Sequence, residues 1–258
     1  MLNPVRPRFF ALAAAALLAG CGADSSVSPS TPVSLDEVFT EMRLPAISAA
    51  SSVSPRFGGP TTTVGSPVPA GCSYALASAS FVCAPITEGS LTITQSYQLL
   101  NSSGSPLSAF DATSLAAVRM QGTITGTETN AAGTSTTDAH LDQTLSGLQT
   151  SKHVLNGTTT VNASGTYGTG TLTVPFTDTM TTTTTDLVIP ANPGPNTYPS
   201  SGTITIDETS ASFTGLPLPP SRIVITFNGT SKVKVTFDGV AIAGCSTFDL
   251  SSTTPGCS

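Results

Sequence analysis

From about residue 74 to the end of the chain, apolar and polar side chains alternate with a period of two, segment after segment. Leu91, Ile93, Tyr97 and Leu99 fall on one side, and Thr92, Thr94, Ser96 and Gln98 on the other. Val118, Met120 and Ile124 alternate with Arg119, Gln121, Thr123 and Thr125. The pattern returns at Leu172, Val174 and Phe176, at Ile204 and Ile206, at Ile223, Ile225 and Phe227, and at Val233, Val235 and Phe237. A strand with one apolar and one polar face suits an antiparallel sheet covered on one side and wet on the other. The turn chemistry agrees. Asn228-Gly229 and Asp238-Gly239 tolerate positive φ and sit between alternating runs, as hairpins require, while Asn156-Gly157 reads as either a hairpin or a bulge within a longer strand. The expectation is an all-β fold: a wide antiparallel meander over residues 72–258. A sheet of about ten strands must curl, close into a half-barrel or barrel, or split into a sandwich, and pattern alone leaves these open.

The N-terminal third reads differently. Phe9 to Leu18 is an apolar run preceded by Arg6 and Arg8, too short for a membrane-spanning helix and suited to a secretory signal. It ends in Leu18-Ala19-Gly20-Cys21, which resembles the lipobox of bacterial lipoproteins. The resemblance implies that residues 1–20 are a signal peptide and that Cys21 becomes the N-terminus, carrying a thioether-linked diacylglycerol. Several acyl chains, such as palmitate, at roughly 0.8 kcal/mol per buried methylene would make a lasting membrane anchor. Within that family an acid directly after the cysteine favours the inner membrane. Here Gly22 and Ala23 follow, so the address implied is the outer membrane, with the body facing the periplasm or cell surface. The Thr- and Ser-rich body resembles uncharacterised envelope lipoproteins, which supply no functional residues to carry over.

Residues 21–33 have no apolar period and read as a flexible tether. Ser34 and Glu37 form a capping box, Val38, Phe39 and Met42 follow at helical spacing, and Pro45 stops the pattern. This predicts one short N-terminal amphipathic helix at about 34–43, followed by a surface loop to residue 71. A curled sheet needs a cover for its apolar face, and this helix is the candidate. The arrangement is similar to the helix-filled half-barrel of periplasmic lipoprotein carriers, a likeness of architecture only.

Charged residues make up only 9% of the 258, and the net charge is −6 before the signal's two arginines are lost. Such a surface repels phosphate backbones, so nucleic acid is not an expected partner. Beyond Cys21, four cysteines remain, an even number that reads as disulfides in an exported chain. Of three possible pairings, Cys72 with Cys83 and Cys245 with Cys257 each close a short local loop. No CxxC spacing or nearby histidine suggests zinc.

The best chemical constellation is Asp138, His140 and Asp142, at i, i+2 and i+4 on one strand face, with His153 across a hairpin near Ser146-Gly147. Two carboxylates beside an imidazole can hold a divalent metal or tune a base. Leu141 and Leu145 mark the opposite face as the buried one, so the polar set is read as solvated and no metal is assigned. Neither a nucleophile elbow nor a phosphate-cradling glycine loop is present. The reading is therefore a non-enzymatic, lipid-anchored envelope protein without cofactor, a structural or protein-interaction module. The alternative is a carrier of a hydrophobic ligand such as a lipid.

Overall fold

The computed structural model describes residues 71–130, 133–167, 173–190, 198–213, 216–241 and 247–250. The lipidation candidate Cys21, the helix expected at 34–43, and Cys245 and Cys257 lie outside them. The described chain is all-β and antiparallel. Its strands are β1 (Cys72–Ala75), β2 (Ser80–Cys83), β3 (Ile86–Glu88), β4 (Leu91–Leu100), β5 (Pro106–Leu107), β6 (Ala117–Asn130), β7 (Gly133–Ser146) and β8 (Lys152–Tyr167), then β9 (Val174–Pro190), β10 (Ser201–Phe213), β11 (Leu216–Leu218), β12 (Ser221–Thr226), β13 (Lys232–Phe237), β14 (Val240–Ala241) and β15 (Phe248–Asp249).

They pair in the order β1-β2-β4-β6-β7-β8-β9-β10-β12-β13-β14, with β3 and β5 on β4, β11 on β10 and β15 on β13. β1 and β14 stand at opposite ends of this order, so the sheet is open. Among the described residues there is neither a closed barrel nor a second packed sheet. Asn228-Gly229 and Asp238-Gly239 do link consecutive paired strands. Lys232 and Lys234 lie on an internal strand, since β13 pairs β12 and also β14 and β15.

The alternation puts every apolar set on one face, here the inner face. Cross-strand partners share a face, so Leu99, Val118, Leu145 and Leu155 form a continuous row that reaches Leu187 on β9. All five are buried, Leu99 and Leu187 completely. Around this row lie two apolar clusters. One joins Leu145, Leu155 and Leu187 to Ile204, Ile225, Phe227, Val233, Val235 and Phe248, and the other gathers Tyr97, Leu99, Leu115 and Val118. Leu148, from the β7–β8 connection, packs against both. Connections at this end of the strands fold back over the row. Leu148 N–H donates to the Ala116 carbonyl at 3.1 Å, and the Asp111 carbonyl accepts from Leu115 N–H at 2.9 Å. The Asp111 side chain accepts from Thr113 and Ser114, bonds that hold its pKa at about 2. Cys72 and Cys83, directly opposite in β1 and β2, are joined as a disulfide.

Asn156-Gly157 is a bulge site, not a turn. Leu155 pairs Leu187 but Gly157 pairs Thr184, so β9 carries an extra residue there, and β10 registers the same shift between Ser201 and Thr203. Asp186 holds the bulge with φ 47°. Its N–H donates to Asn156 Oδ1 at 2.7 Å, and Asn156 Nδ2 donates back to Asp186 Oδ1 at 3.3 Å. The bulge changes the phase of β9, so that Thr184 and Leu187 both face inward and are buried. Gly202, opposite the bulge with φ 106°, has no room for a Cβ against the Asp186 carbonyl and Leu187 Cα.

Leu187→Ala should destabilise the protein by roughly 2–5 kcal/mol, read as a lower urea midpoint with an unchanged slope. A change below about 1 kcal/mol would remove this row from the centre of the core.

Candidate functional site

The outer face of β4, β6, β7 and β8 is covered by two adjacent polar rows. Thr94, Thr123, His140 and Thr160 are successive cross-strand partners, as are Ser96, Gln121, Asp142 and Thr158. They form the floor of an open groove of about 700 Å³, walled on one side by Ser78, Ser80, Val82 and Pro85. Ser80 is buried and shares a hydrogen bond of 2.7 Å with Ser78. Thr94 and Thr123 hydroxyls are bonded to each other at 2.7 Å. The groove thus presents uncharged donors and acceptors interspersed with threonine methyls, Val82 and Pro85 on a regular backbone lattice, which sets neighbouring positions about 4.8 Å apart across strands and about 7 Å apart along them.

Its electrostatics centre on Asp142. Arg119 Nε donates to Asp142 Oδ1 at 2.8 Å, a second guanidinium nitrogen donates to Oδ2, and Gln121 Nε2 adds a bond of 3.1 Å to Oδ2. The Arg119 pairing holds the Asp142 carboxyl below its ordinary range and raises the guanidinium's pKa in turn. A carboxylate that accepts three donors has little capacity left for a cation or a proton. His140 Nε2 lies 3.2 Å from Asp138 Oδ1, with both side chains more than half exposed. Asp138, His140 and Asp142 therefore do share the wet face, but Asp142 is committed to Arg119.

His153 does not join them, contrary to the expectation from the hairpin near Ser146-Gly147. That hairpin exists, but its register pairs His140 with Thr160, seven residues from His153, and an odd separation places His153 on the other face. His153 is buried beside the inner row, and burial pushes its pKa down. Among the described residues no group of three or more His, Cys, Asp or Glu side chains could hold a metal ion. Arg119 and Gln121 escaped sequence reading because their role depends on the β6–β7 register. The sequence between β6 and β7 carries no Asn-Gly or Asp-Gly pair that would have marked this pairing.

A second polar feature lies on the inner face of the same sheet. Asp178 opposes Ala163 on β8 and Ala211 on β10, and Glu208, which follows Ile204 and Ile206 in alternation and opposes Met180, lies on the same face; the bulge between Glu208 and Ser210 then turns Ala211 inward. Asp178 Oδ1 is enclosed without a hydrogen-bond partner. Burial first, and then the negative charge of Glu208, raise the Asp178 pKa to about 6. Glu208 itself accepts from the Ser221 hydroxyl at 2.9 Å. The arrangement is a half-buried acid whose charge is disfavoured by its enclosure and by Glu208.

No family model, curated protein or solved structure matches this chain.

Two outcomes follow from the two faces. Asp138→Ala and His140→Ala should each change stability by less than about 0.5 kcal/mol; a loss above about 2 kcal/mol would mean that these side chains are buried in solution. Asp178 has a folded pKa of about 6 against an ordinary value of 3.8, so the folded state holds the extra proton between those values. Stability is favoured below pH 3.8 and declines as pH rises to about 6. Asp178→Asn should accordingly raise the melting temperature at pH 7.5 and leave it nearly unchanged at pH 4. An equal shift at both pH values would show that Asp178 is not held in this enclosed state.

Proposed function

We propose that the protein is an exported envelope lipoprotein, anchored through lipidated Cys21 in the outer membrane, whose sheet acts as a non-enzymatic protein-interaction module. The observation that carries the interaction reading is the outer groove. It is broad and open, its floor is made mostly of hydroxyl and amide side chains with His140 and Asp142 among them, and the charge of Asp142 is neutralised by the neighbouring, partly exposed Arg119. A surface of this kind can hydrogen-bond a partner's polar surface without leaving an uncompensated charge. The same pairing removes Asp142 from acid–base chemistry and leaves His140 with Asp138 alone. The anchor rests on Leu18-Ala19-Gly20-Cys21 and on Gly22 and Ala23 as the residues that set the address.

Cys21→Ser should move the protein from the membrane fraction to the soluble periplasmic fraction; material that remains membrane-bound would refute the lipid anchor. A photo-cross-linking residue at Thr160, in the groove, should give discrete protein adducts in living cells, while one at the exposed Thr230 should not. Native mass spectrometry of residues 22–258 separates the alternative: retained lipid or other apolar mass would replace the interaction reading with that of a hydrophobic-ligand carrier.

A further inference from the structure

The inner face is covered at one end of the long strands and leaves two isoleucines uncovered beside β3, although Leu91 and Ala139 next to them are buried. Ile86, Ile93 and Ile124 are successive cross-strand partners on β3, β4 and β6, and the row continues into Ala139. Ile86 and Ile124, both exposed, flank the half-buried Ile93 in this row, so the three make a small apolar patch where isolated exposed aliphatic residues would need no explanation. Ile86 is 47% exposed and Ile124 39% exposed, although they occupy the same face as the completely buried Leu99. No charged side chain interrupts the three.

We propose that residues 34–43 dock on this patch as an amphipathic helix, completing the cover of the inner face. On a helical projection Leu35, Val38, Phe39 and Met42 fall within one apolar stripe, and Asp36, Glu37, Thr40 and Glu41 fall opposite. From Leu35 to Met42 a helix rises about 10 Å. The three isoleucine positions, on adjacent strands about 4.8 Å apart, also span about 10 Å. The stripe and the patch therefore match in length as well as polarity. The chain geometry permits the contact without strain. The sheet begins at Cys72 in β1, and β1, β2 and β4 are neighbours, so the chain enters about 10 Å from the strand of Ile93. Residues 44–70 can reach up to about 90 Å when extended, far more than the return requires. Acids on the far side of the helix stay in water. Phe39 and Met42 supply the bulk that the patch lacks.

The contact is independent of the lipid anchor and is testable on residues 22–258. A benzophenone side chain at Phe39 should, on irradiation, cross-link within the chain to peptides containing Ile86, Ile93 or Ile124. The same group at Glu37, on the polar side, should not. Ile124→Asp should abolish the Phe39 adduct while Thr125→Asp, its neighbour on the outer face, leaves it intact. Adducts confined to the outer face, adducts between two chains, or no adduct at all would overturn the proposal. As a second readout that does not depend on any substitution in the sheet, deleting residues 22–45 should increase binding of an apolar dye; unchanged dye binding would count against the docking.

Discussion

The row from Leu99 through Val118, Leu145 and Leu155 to Leu187 is the contact on which the rest of the sheet depends. These five side chains come from five different strands and meet because antiparallel register places directly opposed residues on one face. Their burial has to offset the ordering of four strands of 14 to 17 residues, well beyond the common strand length. Connections from the same strand ends fold over the row and bring Leu115 and Leu148 with them, so the core is made by one sheet and its own loops.

A sheet that long cannot keep a simple alternation throughout. β9 contains Thr181 to Thr185, followed after one aspartate by Leu187, and a strict period of two would place the leucine on the wet face if the preceding even-numbered residues faced inward. The extra residue at Asp186 resolves this conflict. Asn156 satisfies its backbone from the neighbouring strand, and glycine at 202 gives the backbone the space to close around it. The bulge thus lets a threonine-rich arm and a leucine-rich core belong to one strand.

The outer groove follows from the same register. Threonine on wet strand faces was legible from its alternation, as was the position of Asp138, His140 and Asp142 on one such face. The fate of each was not. Asp142 differs from Asp138 because β6 places Arg119 diagonally beside it, a relation separated by 23 residues in sequence. His153 failed to join the group because one residue of register decides which side of a sheet a side chain occupies. Glu208 and Asp178 came to the same face because the β9–β10 register sets Glu208 opposite Met180, two residues from Asp178, a relation between distant segments that local composition did not mark.

Sequence by itself determined the all-β class, the apolar faces of the strands around Leu91, Val118, Leu145, Ile204, Ile223 and Val233 and the hairpins at Asn228-Gly229 and Asp238-Gly239, because period-two patterning and positive-φ turn residues are local properties. It also marked the short loop that the Cys72–Cys83 disulfide closes. Only the tertiary structure decided that the strands form one open sheet, that Asn156-Gly157 meets a bulge, and that Arg119 pairs with Asp142. Those outcomes depend on which strands are neighbours and in what register, and register is fixed by the summed burial of many distant side chains, not by any segment alone.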